Sequence, residues 1–351
     1  MTIKIAVIGV GTIAQEHIKA YQANPGAEVV ALCDIDIERV KQRGEQFGVA
    51  RVTGDRAEIL SDSEIDAVSI CVPNNKHAEI AEDALRAGKN VLLEKPMSVS
   101  VAEAEALVKA TKETGKSLQI GYVRRYAPNA LVAKRFLDED EFGKIYAART
   151  TILRNAGNPG GWFGDKDVAG GGPLIDLGVH VVDLCWYLMG QPKAVSVSGA
   201  SFNPIGARDN IQHLSRYRAS SETRVNNVED YATAQIRFEG GAILNVDVSY
   251  SLHTRNETAV QLFGEKGGVE IEPALHMVTE RHDTVLHIEP QIDSLGFDFT
   301  VGFANEIEHF LSVCRGEIAA DAPAEHGLEM ARMLTAIYES ASTGSEVKIT
   351  H

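Results

Sequence analysis

Two short stretches of this 351-residue chain hold residue types that can do chemistry together. Asp176, His180, Asp183 and Tyr187 recur at i, i+4, i+7 and i+11. If residues 174–189 form a helix, they make one polar stripe on an otherwise apolar surface. A neutral imidazole on such a stripe can take a proton from an alcohol, and a carboxylate one turn away can orient the ring and stabilise its charged form. Gly170, Gly171 and Gly172 precede the stripe and let substrate or backbone come close. The second stretch is Glu94-Lys95-Pro96, directly after an apolar run. A lysine beside a bound hydroxyl donates to the reacting oxygen and, being cationic, makes that hydroxyl easier to deprotonate. Pro96 restricts the backbone there and leaves a cis Lys95–Pro96 bond open.

Blander readings compete with each of these. A core histidine hydrogen-bonded to a neighbour accounts for His180 alone, but not for the aligned Asp176. Metal ligation by Asp176, His180 and Asp183 would suit zinc, yet no second histidine lies nearby, and no metal is assigned. Taken alone, Lys95 is equally well a surface lysine. Its place just past a strand is what marks it.

The amino-terminal segment reads as a dinucleotide-binding site. Gly9-Val10-Gly11-Thr12-Ile13-Ala14 is a GxGxxA sequence set between a strand and a helix. Gly9 permits the tight turn, and Gly11 lets a pyrophosphate approach the backbone. Thr12 and Ile13 open a helix whose N-terminus favours negative charge, and Ala14 keeps that helix close to the sheet. Asp34, followed by Ile35, ends the second strand 23 residues beyond Gly11, the spacing at which a carboxylate meets the adenosine ribose diol. Such a carboxylate repels the 2′-phosphate of NADP, and no arginine follows Asp34 directly, so NAD is expected and NADP disfavoured. The alternative for Asp34 is a cap on the following helix.

The elements that must position these residues are legible as a rhythm. From residue 3 to about 122, β-branched runs (3–8, 28–33, 50–52, 66–72, 90–94, 117–122) alternate with amphipathic stretches at 12–23, 36–47, 77–87 and 100–114, with Asp36 a candidate N-cap. This is the pattern of a doubly wound α/β parallel sheet, covered on both faces. The loops Gly9–Ile13, Val72–Asn75, Glu94–Pro96 and Gly121–Arg125 would then open on one edge and line one crevice. After residue 123 the runs 146–154, 194–202, 231–238, 242–250 and 258–264 follow one another through short turns. They predict an α+β domain with an open, mostly antiparallel sheet. Two helical stretches, 303–316 and 323–344, close the chain. The domains are accordingly set at 1–123 and 124–351, and the polar 203–228 segment is read as a mobile loop or partner contact.

Composition narrows the class of partner. Lys and Arg total 34 against 49 Asp and Glu, a net charge of −15, and no basic cluster interrupts it, so nucleic acid is not an expected partner. No stretch of 18 or more residues lacks a charge, so no membrane span is expected. The amino terminus does not read as a signal peptide, and Cys33, Cys71, Cys185 and Cys314 show no CxxC spacing. Buried reduced thiols and a cytoplasmic address are the expectation.

The segments GVGTIA (9–14), CVPNNKHAEI (71–80), LLEKP (92–96), GYVRRYAP (121–128) and GGPLIDLGVHVVDL (171–184) stand in the order and spacing of a known family. The chain resembles, over almost its whole length, the glucose–fructose oxidoreductase, inositol dehydrogenase and rhizopine catabolism (Gfo/Idh/MocA) family. The resemblance implies a Rossmann domain, a second domain whose open sheet forms a dimer or tetramer interface, and NAD(P)-dependent oxidation or reduction of sugars and polyols. It implies that Lys95 touches substrate and nicotinamide, that Asp176 and His180 are the acid–base pair, and that Val72, Pro73, Asn74 and His77 flank the nicotinamide ribose with Glu94 against the cofactor. Arg124, Arg154 and Trp162 fall where family substrate pockets form, and Tyr231 approaches that region. Arg124 with Arg125 or Arg154 would favour an acidic or phosphorylated sugar, although surface pairing with carboxylates explains them equally well. Three functions follow: a dehydrogenase of a secondary hydroxyl on a cyclic polyol or pyranose, an NAD-dependent glycosidase acting by transient oxidation and elimination, and a non-catalytic nucleotide or sugar sensor. All catalytic readings require Lys95 and His180 to meet around one reacting carbon.

Overall fold

The structure is a computed structural model that describes residues 2–208, 210, 211, 213 and 225–351, so half of the 203–228 segment lies outside the described residues. The chain divides into two compact units, Met1–Tyr122 with Phe303–Ala331 and Val123–Gly302 with Arg332–His351.

The first unit alternates strand and helix: β1 (Ile3–Ile8), α1 (Thr12–Ala23), β2 (Ala27–Cys33), α2 (Ile37–Phe47), β3 (Val52–Thr53), α3 (Arg56–Leu60), β4 (Ala67–Ile70), α4 (His77–Arg86), β5 (Asn90–Glu94), α5 (Val101–Thr114) and β6 (Leu118–Gly121). All strand pairs are parallel, in the order β3-β2-β1-β4-β5-β6, so the winding reverses between β1 and β4. Local chemistry sets the helix ends. Asp36 accepts from the Arg39 amide and caps α2 as the sequence predicts, Ser100 caps α5 in the same way, and Gly48 and Gly115 close these helices in the left-handed region.

The sequence boundary at 123/124 leaves residues 303–331 in the second domain, whereas compactness groups them with the first. Packing explains this. Ile307, Phe310 and Leu311 of α9 (Phe299–Cys314) are buried against Ile3, Ile5, Ile18 and Tyr21 of the Rossmann core, each removing about 1.5–3 kcal/mol worth of apolar surface from water. The thiols of Cys33, Cys71 and Cys185 are buried, Cys314 is half-buried, and all four are free.

The second unit carries α6 (Pro128–Asp138), β7 (Ile145–Leu153), α7 (Lys166–Ala169), α8 (Val179–Leu188), β8 (Ala194–Phe202), β9 (Tyr231–Phe238), β10 (Ile243–Ser249), β11 (Glu257–Gly264), β12 (Gly267–Glu272), β13 (His276–Arg281) and β14 (Thr284–Ile288). The helix α10 (Ala324–Thr343) and β15 (Val347–Lys348) follow α9 at the end of the chain. The strands form one nine-stranded sheet, β14-β13-β12-β11-β7-β10-β9-β8-β15, antiparallel throughout except for β7 with β10. Burial alternates as a one-sided sheet requires: Ala232, Ala234, Ile236 and Phe238 of β9 are buried, while Tyr231, Thr233, Gln235 and Arg237 point to the other face. The helix α8 packs on β7, β10 and β11. The stretch Lys166–Leu188 is apolar enough to pass as a membrane span by composition, but 78% of its most apolar 18-residue window is buried inside the protein, as in a core helix.

Candidate active site

The carboxyl edge of the six-stranded sheet gathers the loops after β1, β4 and β5. Gly9 has φ +85°, and a Cβ there would stand 2.5 Å from the Cys71 carbonyl oxygen, so the turn after β1 requires glycine. Gly11 is the N-cap of α1, makes no side-chain cap, and has nothing within 4 Å of where a Cβ would lie. Open space in front of uncapped helix amides is the cradle that a pyrophosphate fills. Ala14 is buried against the sheet.

Asp34 is buried at the end of β2, with Oδ2 accepting from the Val10 amide at 2.8 Å and Oδ1 from the Asp36 amide at 2.9 Å. The carboxylate therefore ties β2 to the glycine turn, while Asp36 does the capping. Arg39, which sequence reasoning passed over, pairs with Asp36 at 2.9 Å and stands 3.6 Å from Asp34 Oδ2. Ile35 is 97% exposed beside it. These residues fit the adenosine end of a dinucleotide.

The β5 end is built around a buried carboxylate. Glu94 Oε1 lies 2.9 Å from His17 Nε2, and Glu94 Oε2 accepts from the Lys95 amide at 3.2 Å. Burial pushes the Glu94 carboxyl up, but the hydrogen bond from His17 and the positive charge of Lys95 outweigh it and hold the group below the usual range. Lys95 is half-buried and its bond to Pro96 is cis. His77 opens α4 with Nδ1 2.6 Å from the Pro96 carbonyl and Nε2 2.9 Å from the Val72 carbonyl. At 1% exposure with both ring nitrogens on the main chain, His77 braces the loops from beneath rather than facing a ligand. Burial draws its pKa down, against the pull of the two carbonyls and Glu94. Pro73 caps a 3₁₀ turn, Asn74–Lys76, with Asn74 buried in it.

The second unit carries Asp176 and His180, the expected acid–base pair. The helix expected over 174–189 is a π turn at Leu174–Gly178 that runs into α8. Single π turns inside helices cluster at functional sites. Asp176 and His180 are both half-buried here. Tyr250, at the end of β10, donates its O–H to Asp176 Oδ2 at 2.8 Å. Burial, and then the Asp176 charge, raise the Tyr250 pKa well above its ordinary value, so the phenol stays a donor. Glu229 accepts from the Gly172 amide at 2.9 Å and the Leu174 amide at 3.1 Å, and Tyr338 donates to it at 2.8 Å. A Cβ on Gly171 would sit 2.0 Å from the Tyr338 hydroxyl and one on Gly172 2.5 Å from the Glu229 carbonyl oxygen, so these glycines serve close packing within this unit.

The four-member stripe does not survive. Asp183 is 0% exposed and takes both Arg125 Nε at 2.8 Å and Arg125 Nη2 at 2.5 Å, while that guanidinium lies 4.4 Å from the Tyr187 ring centre. Asp183 therefore belongs to a core ion pair with Arg125, which Tyr187 flanks, leaving Asp176 and His180 as the remaining members of the expected stripe. Arg124 pairs with buried Glu272 and stacks over Phe297 at 4.3 Å. Arg124 and Arg125 are thus neutralised inside the protein, which removes them as the basis for an acidic or phosphorylated sugar. Arg154 is exposed, Trp162 stacks on Phe163 at 3.9 Å, and Tyr231 donates to Asp247 at 2.6 Å on the open face of the sheet. Tyr250, Glu229, Tyr338 and His17 were missed by sequence reasoning. Only His17 left a signal, a polar residue in register with the buried Ala14, Ile18 and Tyr21 of α1.

Comparison with known proteins agrees with this two-part fold. Residues 3–122 match the GFO_IDH_MocA oxidoreductase family, NAD-binding Rossmann fold, and residues 131–270 match the GFO/IDH/MocA C-terminal domain. The chain is 30% identical to D-glucoside 3-dehydrogenase of Escherichia coli K12, over 99% of this chain and 97% of that one. It is 30% identical to scyllo-inositol 2-dehydrogenase (NAD(+)) of Bacillus subtilis 168, over 93% and 92%. The crystal structure of an oxidoreductase domain protein from Kribbella flavida superposes with a TM-score of 0.87 at 25% identity, covering 100% of both chains. A Rossmann unit with an open pyrophosphate cradle, joined in one chain to a unit whose mostly antiparallel sheet backs the Asp176–His180 helix, places this protein in the GFO/IDH/MocA family of oxidoreductases.

Proposed function

We propose that this chain is an NAD-dependent dehydrogenase that oxidises a secondary hydroxyl of a cyclic polyol or sugar, inositol-like or pyranose, to a ketone. The observation that carries the reading is the Asp176–His180 pair: Asp176 is held through Oδ2 by Tyr250, and His180 stands one turn on, half-buried on a helix whose other residues, Tyr187 apart, are buried. Bound NAD supplies the acceptor for the hydride that leaves the substrate carbon. His180 takes the hydroxyl proton, Asp176 orients the ring and stabilises its charged form, and Lys95 donates to the oxygen as it becomes a carbonyl. The balance closes, since the alcohol loses one hydride and one proton.

Cyclic polyhydroxylated substrates are supported by the named activities of the relatives, which act on glucosides and inositol. NAD over NADP rests on the Asp34 carboxylate, and a cytoplasmic address on the free thiols. The open face of the nine-stranded sheet, where Phe202 and Phe263 remain about half exposed, is proposed as the surface that joins copies of this chain.

The deciding experiment supplies NAD with a panel of inositols, aldopyranoses, glucosides, sugar acids and sugar phosphates and follows NADH. Stoichiometric NADH with cyclic polyols is the expected result. Release of an aglycone with no net NADH would assign the elimination chemistry of a glycosidase instead, and NAD binding without turnover on any member would assign a sensor.

A further inference from the structure

We propose that His17 and His77 are positioning residues that clamp the Lys95 segment from its two sides and so fix where that lysine stands. The inference rests on the reading of Lys95 as a residue that contacts substrate. Lys95 lies between two main-chain anchors. On its amino side, His17 Nε2 meets Glu94 Oε1 at 2.9 Å while Glu94 Oε2 accepts the Lys95 amide at 3.2 Å. On its carboxyl side, His77 Nδ1 meets the Pro96 carbonyl at 2.6 Å. Pro96 has no amide hydrogen, so the loop cannot anchor itself there through a donor of its own.

Each imidazole is itself fixed to β4 or the loop after it. His17 Nδ1 meets Ser69 Oγ at 2.9 Å, Tyr21 reaches the same Oγ at 3.2 Å, and the His17 ring packs on Phe303 at 5.2 Å. With the Nε2–H tautomer every group is satisfied: the Tyr21 hydroxyl donates to Ser69, Ser69 to Nδ1, and Nε2–H to Glu94. His77 Nε2 meets the Val72 carbonyl at 2.9 Å, tying the Lys95 loop to the loop after β4. The two accepting carbonyls need two donors, so a neutral ring holds one of them and an added proton closes the second bond. Glu94 and Lys95 are the charged groups that act on this ring. The space for Glu94 depends on Gly121, where a Cβ would come within 3.2 Å of Oε1. Burying two imidazoles and a carboxylate is a cost that apolar side chains of similar volume would avoid. What they add is direction: hydrogen bonds to three consecutive residues, 94, 95 and 96.

The test begins with Lys95→Ala, which should abolish turnover while NAD still binds; full turnover would overturn the functional reading itself. Given a silent Lys95→Ala, His17→Gln and His77→Gln are expected to lower kcat by about tenfold to a hundredfold, the scale of a misplaced catalytic group, with the Kd for NAD held within about twofold. Amide hydrogen exchange across residues 93–97 should quicken in both variants and stay unchanged elsewhere in the six-stranded sheet. An unaltered kcat, an unaltered exchange, or a loss of NAD affinity in step with kcat would overturn the clamp. Should either Gln variant fail to fold, Ser69→Ala, which loosens His17 at Nδ1, and His77→Asn read the same quantities.

Discussion

Replacing Tyr250 by Phe removes one oxygen from a buried ring and nothing else. The hydroxyl lost is the one that donates to Asp176 Oδ2 at 2.8 Å. A hydrogen bond to a charged acceptor contributes about 1.5–3 kcal/mol. Asp176 is half-buried, so water replaces part of the bond, and the lower half of that range applies to stability. The effect on rate is larger in kind. Asp176 is proposed to orient His180, and a carboxylate free to rotate orients it only part of the time. At roughly 1.4 kcal/mol per factor of ten, losing about 1.5–3 kcal/mol of transition-state orientation lowers kcat/KM by about tenfold to a hundredfold. Because the Asp34 and Gly11 region is untouched, the KM for NAD should hold. Steady-state kinetics on the best substrate of the panel, with a thermal melt to show an intact fold, measure both. A kcat/KM within twofold of the parent would refute the orienting role of Tyr250, and with it the account of Asp176 as a held partner rather than a free carboxylate.

Asp34→Ser should weaken NAD and narrow its advantage over NADP, because the substitution removes the charge and frees Arg39 from Asp34 to meet a 2′-phosphate; an unchanged ratio of kcat/KM for the two cofactors would count against the ribose contact. Asp183→Ala leaves the fully buried Arg125 uncompensated and should cost about 3–5 kcal/mol in urea denaturation, whereas a paired Arg125→Met, Asp183→Leu variant should be far milder. Acid should destabilise the protein in two windows. Burial holds His309 and His77 below the ordinary histidine range, so the stability they contribute is present above about pH 6.5 and is lost as pH falls through their lowered values. His309 Nε2 accepts the Asp321 amide at 3.1 Å, a bond that protonation breaks. Glu94, also held low, withdraws its share only further down, below the ordinary carboxylate range. Melting temperatures taken across this span should fall in both windows, and a His309→Gln variant should flatten the upper one.

The first unit was readable because its physics is local. Strands buried on both faces leave near-continuous apolar runs, so 3–8 ends at the glycine turn and 90–94 at Glu94-Lys95-Pro96. Asp36 announces its cap within its own helix. The second unit yields less to the same reading. At the far edge of the sheet β13 buries only Met277 and Thr279, and β14 buries no residue while its Val285 is exposed, so no apolar alternation marks these strands.

The site shows the same division, and it explains which residues were missed. Asp176 and His180 could be proposed as a pair from spacing alone because a helix brings i and i+4 to one face wherever it sits. Asp183 fitted that spacing equally well and belongs elsewhere, because its partner Arg125 lies 58 residues away and no periodicity records it. Tyr250 reaches Asp176 across 74 residues, and Glu94 reaches His17 across 77. The chemical groups are thus written locally, while their orientation is set by long-range hydrogen bonds from residues that carry no motif. A proton relay works only when its members are aimed, so the less legible residues are the ones on which the rate should depend most steeply after the reacting groups themselves.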